Sequence, residues 1–151
     1  MTINISSDKN VSKVSDLDNS INKIVVSRGN PFAKLMIIGE APGAKEEEIG
    51  EPFVGRSGKL LDKLLQNAGI DINQDVYFCN VVKCRPPKNR RPTKIEIQEN
   101  LPWLYQQIKL VNPSVIVLVG ATALEAILKI KSRISIPVSY THLTLPTIYS
   151  V

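Results

Sequence analysis

The chain has 151 residues, of which 43% are hydrophobic and 22% charged, a balance that suits one folded domain and excludes a wholly disordered chain. Its formal charge is +5, and no apolar run approaches the ~20 residues of a membrane helix, so no membrane partner is expected. The polar start lacks the apolar stretch of a secretory signal, and the two cysteines, Cys79 and Cys84, suit a reducing compartment, so we expect a cytoplasmic protein.

The first half of the chain pairs a strand with a helix. Residues 1–27 are a polar N-terminal segment with only weak helical periodicity. Lys34–Gly39 is predicted to be a buried strand, because it is an apolar run that stops at a glycine. Ser57 is predicted to cap an amphipathic helix whose leucines share one face and which Gly69 ends.

The second half repeats this alternation. Asp75–Lys83 is rich in Val, Tyr and Phe and is predicted to be a second strand. Thr93 and Glu96 form a capping box that opens a helix through about residue 110. The remaining predicted elements are a third strand, Ser114–Val119, and a short helix, Ala121–Lys131.

Strands that alternate with helices predict an α/β fold, here a three-layer α/β/α arrangement with a mostly parallel central sheet. Ligands of such sheets bind beyond the carboxyl ends of the strands. Glu40, Asn80 and Gly120 lie at those ends, so we expect them around one crevice. The domain is predicted over residues 28–135 and to be incomplete at its C-terminus. The uncharged tail, 136–151, is either a terminal strand or a non-native end.

The positive charge is concentrated in one segment. Residues 83–94 hold six cations and no acid, whereas the rest of the chain has 13 cations against 14 acids. Prolines alternate with these cations and stiffen the loop, which favours contacts with the phosphates of a polyanion. A solubilising loop is the alternative.

Two side chains stand out near the predicted crevice. Phe53 lies in a loop outside any periodic apolar face, so it is either a stacking platform for a flat ligand or a ring that plugs the core. Asn80 interrupts an apolar strand, and its amide either reads the edge of a nucleobase or satisfies backbone groups. The loop after the first strand is acidic and lacks the lysine of a phosphate-binding loop, which argues against a nucleotide-handling α/β enzyme.

Four ordered strings in this sequence resemble the family 4 (iron–sulfur type) uracil-DNA glycosylases. The resemblance covers residues 28–135, in the order in which the family has these strings. They are Lys34-Leu-Met-Ile-Ile-Gly-Glu-Ala-Pro-Gly43, Glu51-Pro-Phe-Val-Gly-Arg-Ser-Gly-Lys-Leu60, Asn80-Val-Val-Lys-Cys-Arg-Pro-Pro87 with Asn89-Arg90, and Gly120-Ala-Thr-Ala-Leu124.

The resemblance implies hydrolysis of the N-glycosidic bond of deoxyuridine in DNA, after the base is flipped out of the stack. It implies that Glu40 and the Ala41 backbone face the uracil and the attacking water, that Phe53 stacks on the base and that Asn80 binds its polar edge. Glu46 would lie near the position of a thymine methyl group, and Asn89 would support the acidic loop. The implied catalytic residues are Glu40, Asn80 and Asn89, and the implied substrate-binding residues are Ala41, Glu46, Phe53 and Asn80. The implied DNA-binding residues are Lys83, Arg85, Lys88, Arg90 and Arg91.

The sequence departs from the family pattern in two places. The family holds a 4Fe-4S cluster with four cysteines, whereas here only Cys84 matches a ligand and Asn100 stands where the helix cysteine is expected. We therefore expect no cofactor and no metal. The family's His-Pro-Ser/Ala string is also absent, since the only histidine, His142, is followed by leucine.

The leading hypothesis is thus a DNA repair glycosylase, acting as a monomer on uracil-containing DNA and impaired by the missing histidine string. The alternative is a non-catalytic module that binds DNA or uracil. The reading frame beyond residue 135 distinguishes the two, because a continuing frame with His-Pro-Ser favours the enzyme.

Overall fold

The computed structural model describes residues 23–129 and 149–150. The strands are β1 (Arg28–Gly29), β2 (Leu35–Gly39), β3 (Val76–Asn80), β4 (Val115–Leu118) and β5 (Tyr149–Ser150). The helices are α1 (Ala44–Ile49), α2 (Arg56–Asn67), α3 (Lys94–Val111) and α4 (Ala121–Leu128). The strands form one sheet in the order β1-β3-β2-β4-β5, in which β2 pairs in parallel with β3 and β4 while the outer strands are antiparallel.

Alternate residues of the central strands separate two apolar cores, as the period of a strand requires. Met36 and Ile38 of β2 belong to the core that contains Leu104 of α3 and Ala123 of α4. Ile37 belongs to the other core, against which Leu61 and Leu65 of α2 pack, whereas Leu60 and Leu64 are exposed. The helices therefore cover both faces of a mostly parallel sheet, and the predicted three-layer α/β fold is confirmed.

Several boundaries differ from those predicted. Gly55 rather than Ser57 is the N-cap of α2, and the Gly55 carbonyl accepts from the Lys59 amide at 3.0 Å. The ladder of β3 ends at Asn80, three residues early, although Val81 and Val82 stay buried. Helix α1 was not predicted, because none of its six residues is buried and it therefore shows no apolar face. The weak periodicity before residue 23, His142 and the tail up to residue 148 lie outside the described residues.

No helix in the part of the chain that the structure describes is long and apolar enough to cross a membrane.

The predicted capping box at the start of α3 is confirmed, and it carries a charge that responds to pH. Glu96 accepts from the Thr93 amide at 2.7 Å and pairs with both terminal nitrogens of Arg90 at 2.8 Å. The hydrogen bonds from Arg90 and from the Thr93 backbone lower the pKa of Glu96 to about 2. The cap therefore stabilises the fold above the ordinary pKa of a glutamate, about 4.3, and this contribution is lost as the pH falls toward 2.

Glu96→Gln is expected to lower the free energy of unfolding at pH 7, and the difference from the wild type should disappear near pH 2. Urea unfolding followed by circular dichroism at both pH values measures this. Glu99→Gln, on the exposed side of the same helix, is the matched control and should show little difference at either pH. A Glu96→Gln effect that is equal at pH 7 and pH 2 would contradict the electrostatic role of the cap.

Candidate active site

A cavity of about 310 Å³ opens at the carboxyl ends of β2, β3 and β4, where the sequence predicted a crevice. Its lining residues are Gly39, Glu40, Ala41, Gly43, Glu46, Phe53, Ser57, Asn80 and Val119. The structure thus brings together five of the predicted site residues, namely Glu40, Ala41, Glu46, Phe53 and Asn80. Asn89 and the cations of the basic loop do not line the cavity.

Phe53 and Asn80 converge over Gly39. A Cβ atom built on Gly39 would come within 2.6 Å of the Phe53 Cζ and within 2.6 Å of the Asn80 Oδ1, so only glycine leaves room for both. The Phe53 ring also packs on Phe78, with 5.7 Å between ring centroids. The ring therefore packs on the core and also forms part of the cavity wall, and its predicted role as a stacking platform stays a prediction.

Arg28, which the sequence analysis did not single out, holds the turn that presents Phe53. Phe53 has a φ of +58°, an uncommon conformation for a residue with a side chain. Arg28 donates to the carbonyls of Pro52 (2.7 Å) and Phe53 (3.2 Å), and it pairs with Asp62 of α2 at 2.6 Å. These contacts hold the turn in place, and no local sequence pattern signals a partner 25 residues away.

Glu46 joins the acidic loop to the loop that carries Phe53. One oxygen of its carboxylate accepts from the amides of Val54 (3.1 Å) and Gly55 (2.7 Å), and the other accepts from the Gly43 amide at 3.2 Å. The carboxylate is therefore fixed by three backbone donors at the cavity wall. Its predicted position near a thymine methyl group stays a prediction.

Thr122 connects Glu40 to the basic loop and was missed by the sequence analysis. The Thr122 side chain is 1% exposed, and its hydroxyl donates to the Glu40 carboxylate. The same oxygen accepts from the Arg91 Nε at 3.0 Å, and Arg91 also pairs with Glu125 at 2.7 Å. Two signals could have found Thr122. It lies in the string Gly120-Ala-Thr-Ala-Leu124, which carries the resemblance, and it stands two residues after the glycine that follows β4, at the predicted edge of the sheet.

Lys83 does not lie on the surface of the basic loop. It is 7% exposed, and its ammonium group donates to the Asn80 carbonyl and to Gln107. Burial lowers its pKa, an effect opposed by Cys79. Because the charged end is buried on protein oxygens, it cannot reach a DNA phosphate, and the predicted contact of Lys83 with DNA is corrected on this ground.

The exposed part of the basic loop is partly held by acids of the protein. Arg85 donates to Asn89 at 2.7 Å and pairs with Glu47 of α1 at 3.1 Å, so Asn89 is connected to the acidic loop through Arg85. Arg90 and Arg91 pair with Glu96 and Glu125 as described above. Lys88 is exposed in the turn Pro87–Asn89, where it has a positive φ. None of these side chains lines the cavity, and Arg91 is connected to it through Thr122, whose hydroxyl donates to Glu40.

The sequence of this chain is similar to those of known proteins. The sequence model of the "Uracil DNA glycosylase superfamily" matches residues 26–149. The chain belongs to the uracil-DNA glycosylase superfamily. This membership confirms the resemblance inferred from the four strings.

Several curated proteins that are similar to this chain carry the name Type-4 uracil-DNA glycosylase. Identity is 52% over 101 residues with the protein of Thermotoga maritima, 46% over 109 residues with that of Pyrobaculum aerophilum and 43% over 112 residues with that of Archaeoglobus fulgidus. These matches cover 67–74% of this chain and 52–56% of the relatives. The chain thus spans about half the length of the curated relatives that it matches.

The described residues of this superfamily member do not fit the 4Fe-4S cluster of family 4. Among them, no three His, Cys, Asp or Glu side chains converge on a point that could hold a metal ion. Cys79 belongs to the apolar core, and burial raises its pKa to about 11, which disfavours the thiolate that metals bind. Asn100, at the position expected for the helix cysteine, uses its side-chain oxygen to accept from the Lys83 amide.

Proposed function

We propose that this protein is a DNA repair glycosylase that hydrolyses the N-glycosidic bond of deoxyuridine in DNA and releases uracil. The observation that carries the proposal is the convergence of the Phe53 ring and the Asn80 amide over Gly39, in a cavity that Glu40 also lines. An aromatic face beside an amide edge suits a flat base with polar atoms on its rim. Membership in the superfamily supports the same assignment.

In this proposal each cavity residue has its own role in binding the base or in the attack of water. Phe53 stacks on the flipped base, and Asn80 hydrogen-bonds its polar edge. Glu40, held by Thr122, faces the attacking water together with the Ala41 backbone. Glu46 lines the cavity near the position that a thymine methyl group would take and also fixes the loop of Phe53, and Asn89 supports α1 through Arg85.

The proposed DNA contacts are made by Arg85, Lys88, Arg90 and Arg91, which are half-buried or exposed. We also propose that the protein acts as a monomer in the cytoplasm and carries no cluster. The support for the last point is that Cys84 is the only cysteine that matches a ligand of the family's cluster.

Replacing Arg85, Arg90 and Arg91 together by alanine is expected to weaken DNA binding and to reduce its salt dependence. Each phosphate that the protein no longer neutralises should lower the slope of log K against log salt by about 0.9, since fewer counterions are released. Fluorescence anisotropy of a labelled duplex across a salt series measures the slope. The matched control removes three exposed lysines outside the loop, Lys34, Lys63 and Lys109. Equal slopes for the two triple variants would show that the basic loop is only a solvated surface.

Uracil excision tests the proposed reaction directly. A gel assay on a uracil-containing oligonucleotide should show weak cleavage by residues 1–151 and about 100- to 1000-fold faster cleavage when the tail after Ser135 is replaced by a family-like His-Pro-Ser segment, because that segment supplies a donor to the departing base. Asn80→Ala in the tail-replaced chain is the control and should abolish the gain.

Two outcomes of this assay contradict parts of the proposal. Rapid cleavage by the unmodified chain that is lost in His142→Ala would make His142 the catalytic histidine and refute the impairment. Specific uracil-DNA binding without cleavage by either form would favour the non-catalytic binding module.

A further inference from the structure

Asn100 connects the start of the basic loop to helix α3. Its side-chain oxygen accepts from the Lys83 amide at 3.0 Å, and its side-chain nitrogen donates to the Glu96 carbonyl one turn earlier at 2.8 Å. Both ends of the amide therefore have partners, and the orientation of the side chain is determined. The residue that follows Lys83 is Cys84, so this hydrogen bond lies directly beside the one cysteine that matches a cluster ligand.

Lys83 is held on three sides. Its amide donates to Asn100, its carbonyl accepts from the Val25 amide at 2.8 Å, and its ammonium group donates to the Asn80 carbonyl. A buried charge is costly unless such partners surround it. Lys83 therefore joins the end of β3, the N-terminal stretch before β1 and helix α3 at one point.

Gln107 completes the network from the next turns of α3. Its oxygen accepts from the Lys83 ammonium group, and its nitrogen donates to the Val26 carbonyl and to the Tyr77 hydroxyl, each at 3.0 Å. The three segments that meet at Lys83 are thus hydrogen-bonded a second time. Apart from the Lys83 ammonium group, every one of these partners is a neutral oxygen or nitrogen of the protein, and none of the contacts requires a metal.

We propose that Asn100 and Lys83 are positioning residues that hold the junction of β3, the basic loop and helix α3 by hydrogen bonds, where family 4 relies on cysteines and a cluster. Through Lys83 the network also fixes the Asn80 carbonyl, and so the strand end that presents the Asn80 amide to the cavity. The proposal does not depend on uracil excision, because it concerns how the loop is held.

Hydrogen exchange at the Lys83 amide tests the proposal in the full chain. In the wild type this amide should exchange slowly, and in Asn100→Ala it should exchange at least about tenfold faster, as expected when one hydrogen bond is removed. The rate is compared with those of amides in β2, so that a general loss of stability is not mistaken for a local effect. Gln98→Ala, an exposed position on the same helix, is the matched control and should leave the Lys83 rate unchanged.

Asn100→Asp provides a second variant, since it keeps the oxygen that accepts from Lys83. It should restore most of the protection of the Lys83 amide. Two results overturn the proposal: a Lys83 amide of the wild type that exchanges as fast as an unprotected amide, or equal exchange rates of this amide in the wild type and in Asn100→Ala. If Asn100→Ala does not fold, the rate in the wild type is the test.

Reconstitution with iron and sulfide is the second test of the proposal. Anaerobic reconstitution of the wild type with iron and sulfide should give no visible absorbance and no change in the urea midpoint or in the Lys83 exchange rate. Binding of about four irons per chain, with a rise in the urea midpoint, would show that a cluster holds the junction and would refute the proposal. Neither readout involves DNA, so this failure is distinguishable from a failure of the proposed glycosylase activity.

Discussion

Gly39→Ala is expected to abolish discrimination between uracil-containing DNA and the same sequence with thymine, and to lower the free energy of unfolding by about 1–3 kcal/mol. The added methyl group would lie 2.6 Å from both the Phe53 Cζ and the Asn80 Oδ1. The Phe53 ring has little freedom to retreat because it packs on Phe78, and the Asn80 side chain is buried. The two groups would therefore be forced apart at the point where the proposed base-binding site needs them together.

The measurements are anisotropy with the two oligonucleotides and urea unfolding. Ser57→Ala, at another lining residue, is the control and should resemble the wild type. In a Phe53→Ala background one of the two clashes is gone, so Gly39→Ala should cost less stability there than in the wild type. Unchanged discrimination in Gly39→Ala would remove the convergence of Phe53 and Asn80 as the basis of uracil recognition.

Thr122→Val is expected to lower the free energy of unfolding by about 1–3 kcal/mol, although the two side chains have nearly the same shape. The substitution puts a methyl group in place of the buried hydroxyl that donates to Glu40 and accepts from Arg91, so both hydrogen bonds are lost and the half-buried Glu40 carboxylate loses its donor. Thr122→Ser keeps the hydroxyl and loses only a methyl group, for which about 0.8 kcal/mol is expected.

Urea unfolding of the three proteins measures this difference, and the comparison of valine with serine separates the hydroxyl from the packing. A loss in Thr122→Val no larger than that in Thr122→Ser would show that the hydroxyl does not hold Glu40. In that case the position of Glu40 would have to be explained by its backbone, whose carbonyl accepts from the Val82 amide at 3.0 Å.

The sequence by itself determined the layers of this protein and the edge at which its site lies. The apolar run of β2 predicts a strand buried on both faces, and Met36 and Ile37 indeed belong to opposite cores. The capping box of Thr93 and Glu96 is a local pattern, and so the start of α3 was predictable from a short stretch of sequence. The ends of parallel strands meet at one edge, which is why Glu40 and Asn80 could be placed together from the sequence.

Only the tertiary structure decided which side chains those residues meet. Lys83 stands in a run of cations and was predicted to bind DNA, but it is buried, and its ammonium group donates to Gln107, which lies 24 residues further along the chain. Thr122 and Glu40 are 82 residues apart, and Arg28 reaches the turn of Phe53 from 25 residues away. Hydropathy and spacing describe one segment at a time, whereas the environment of a polar side chain is set by the segments that fold against it, and that is why these three roles required the folded structure.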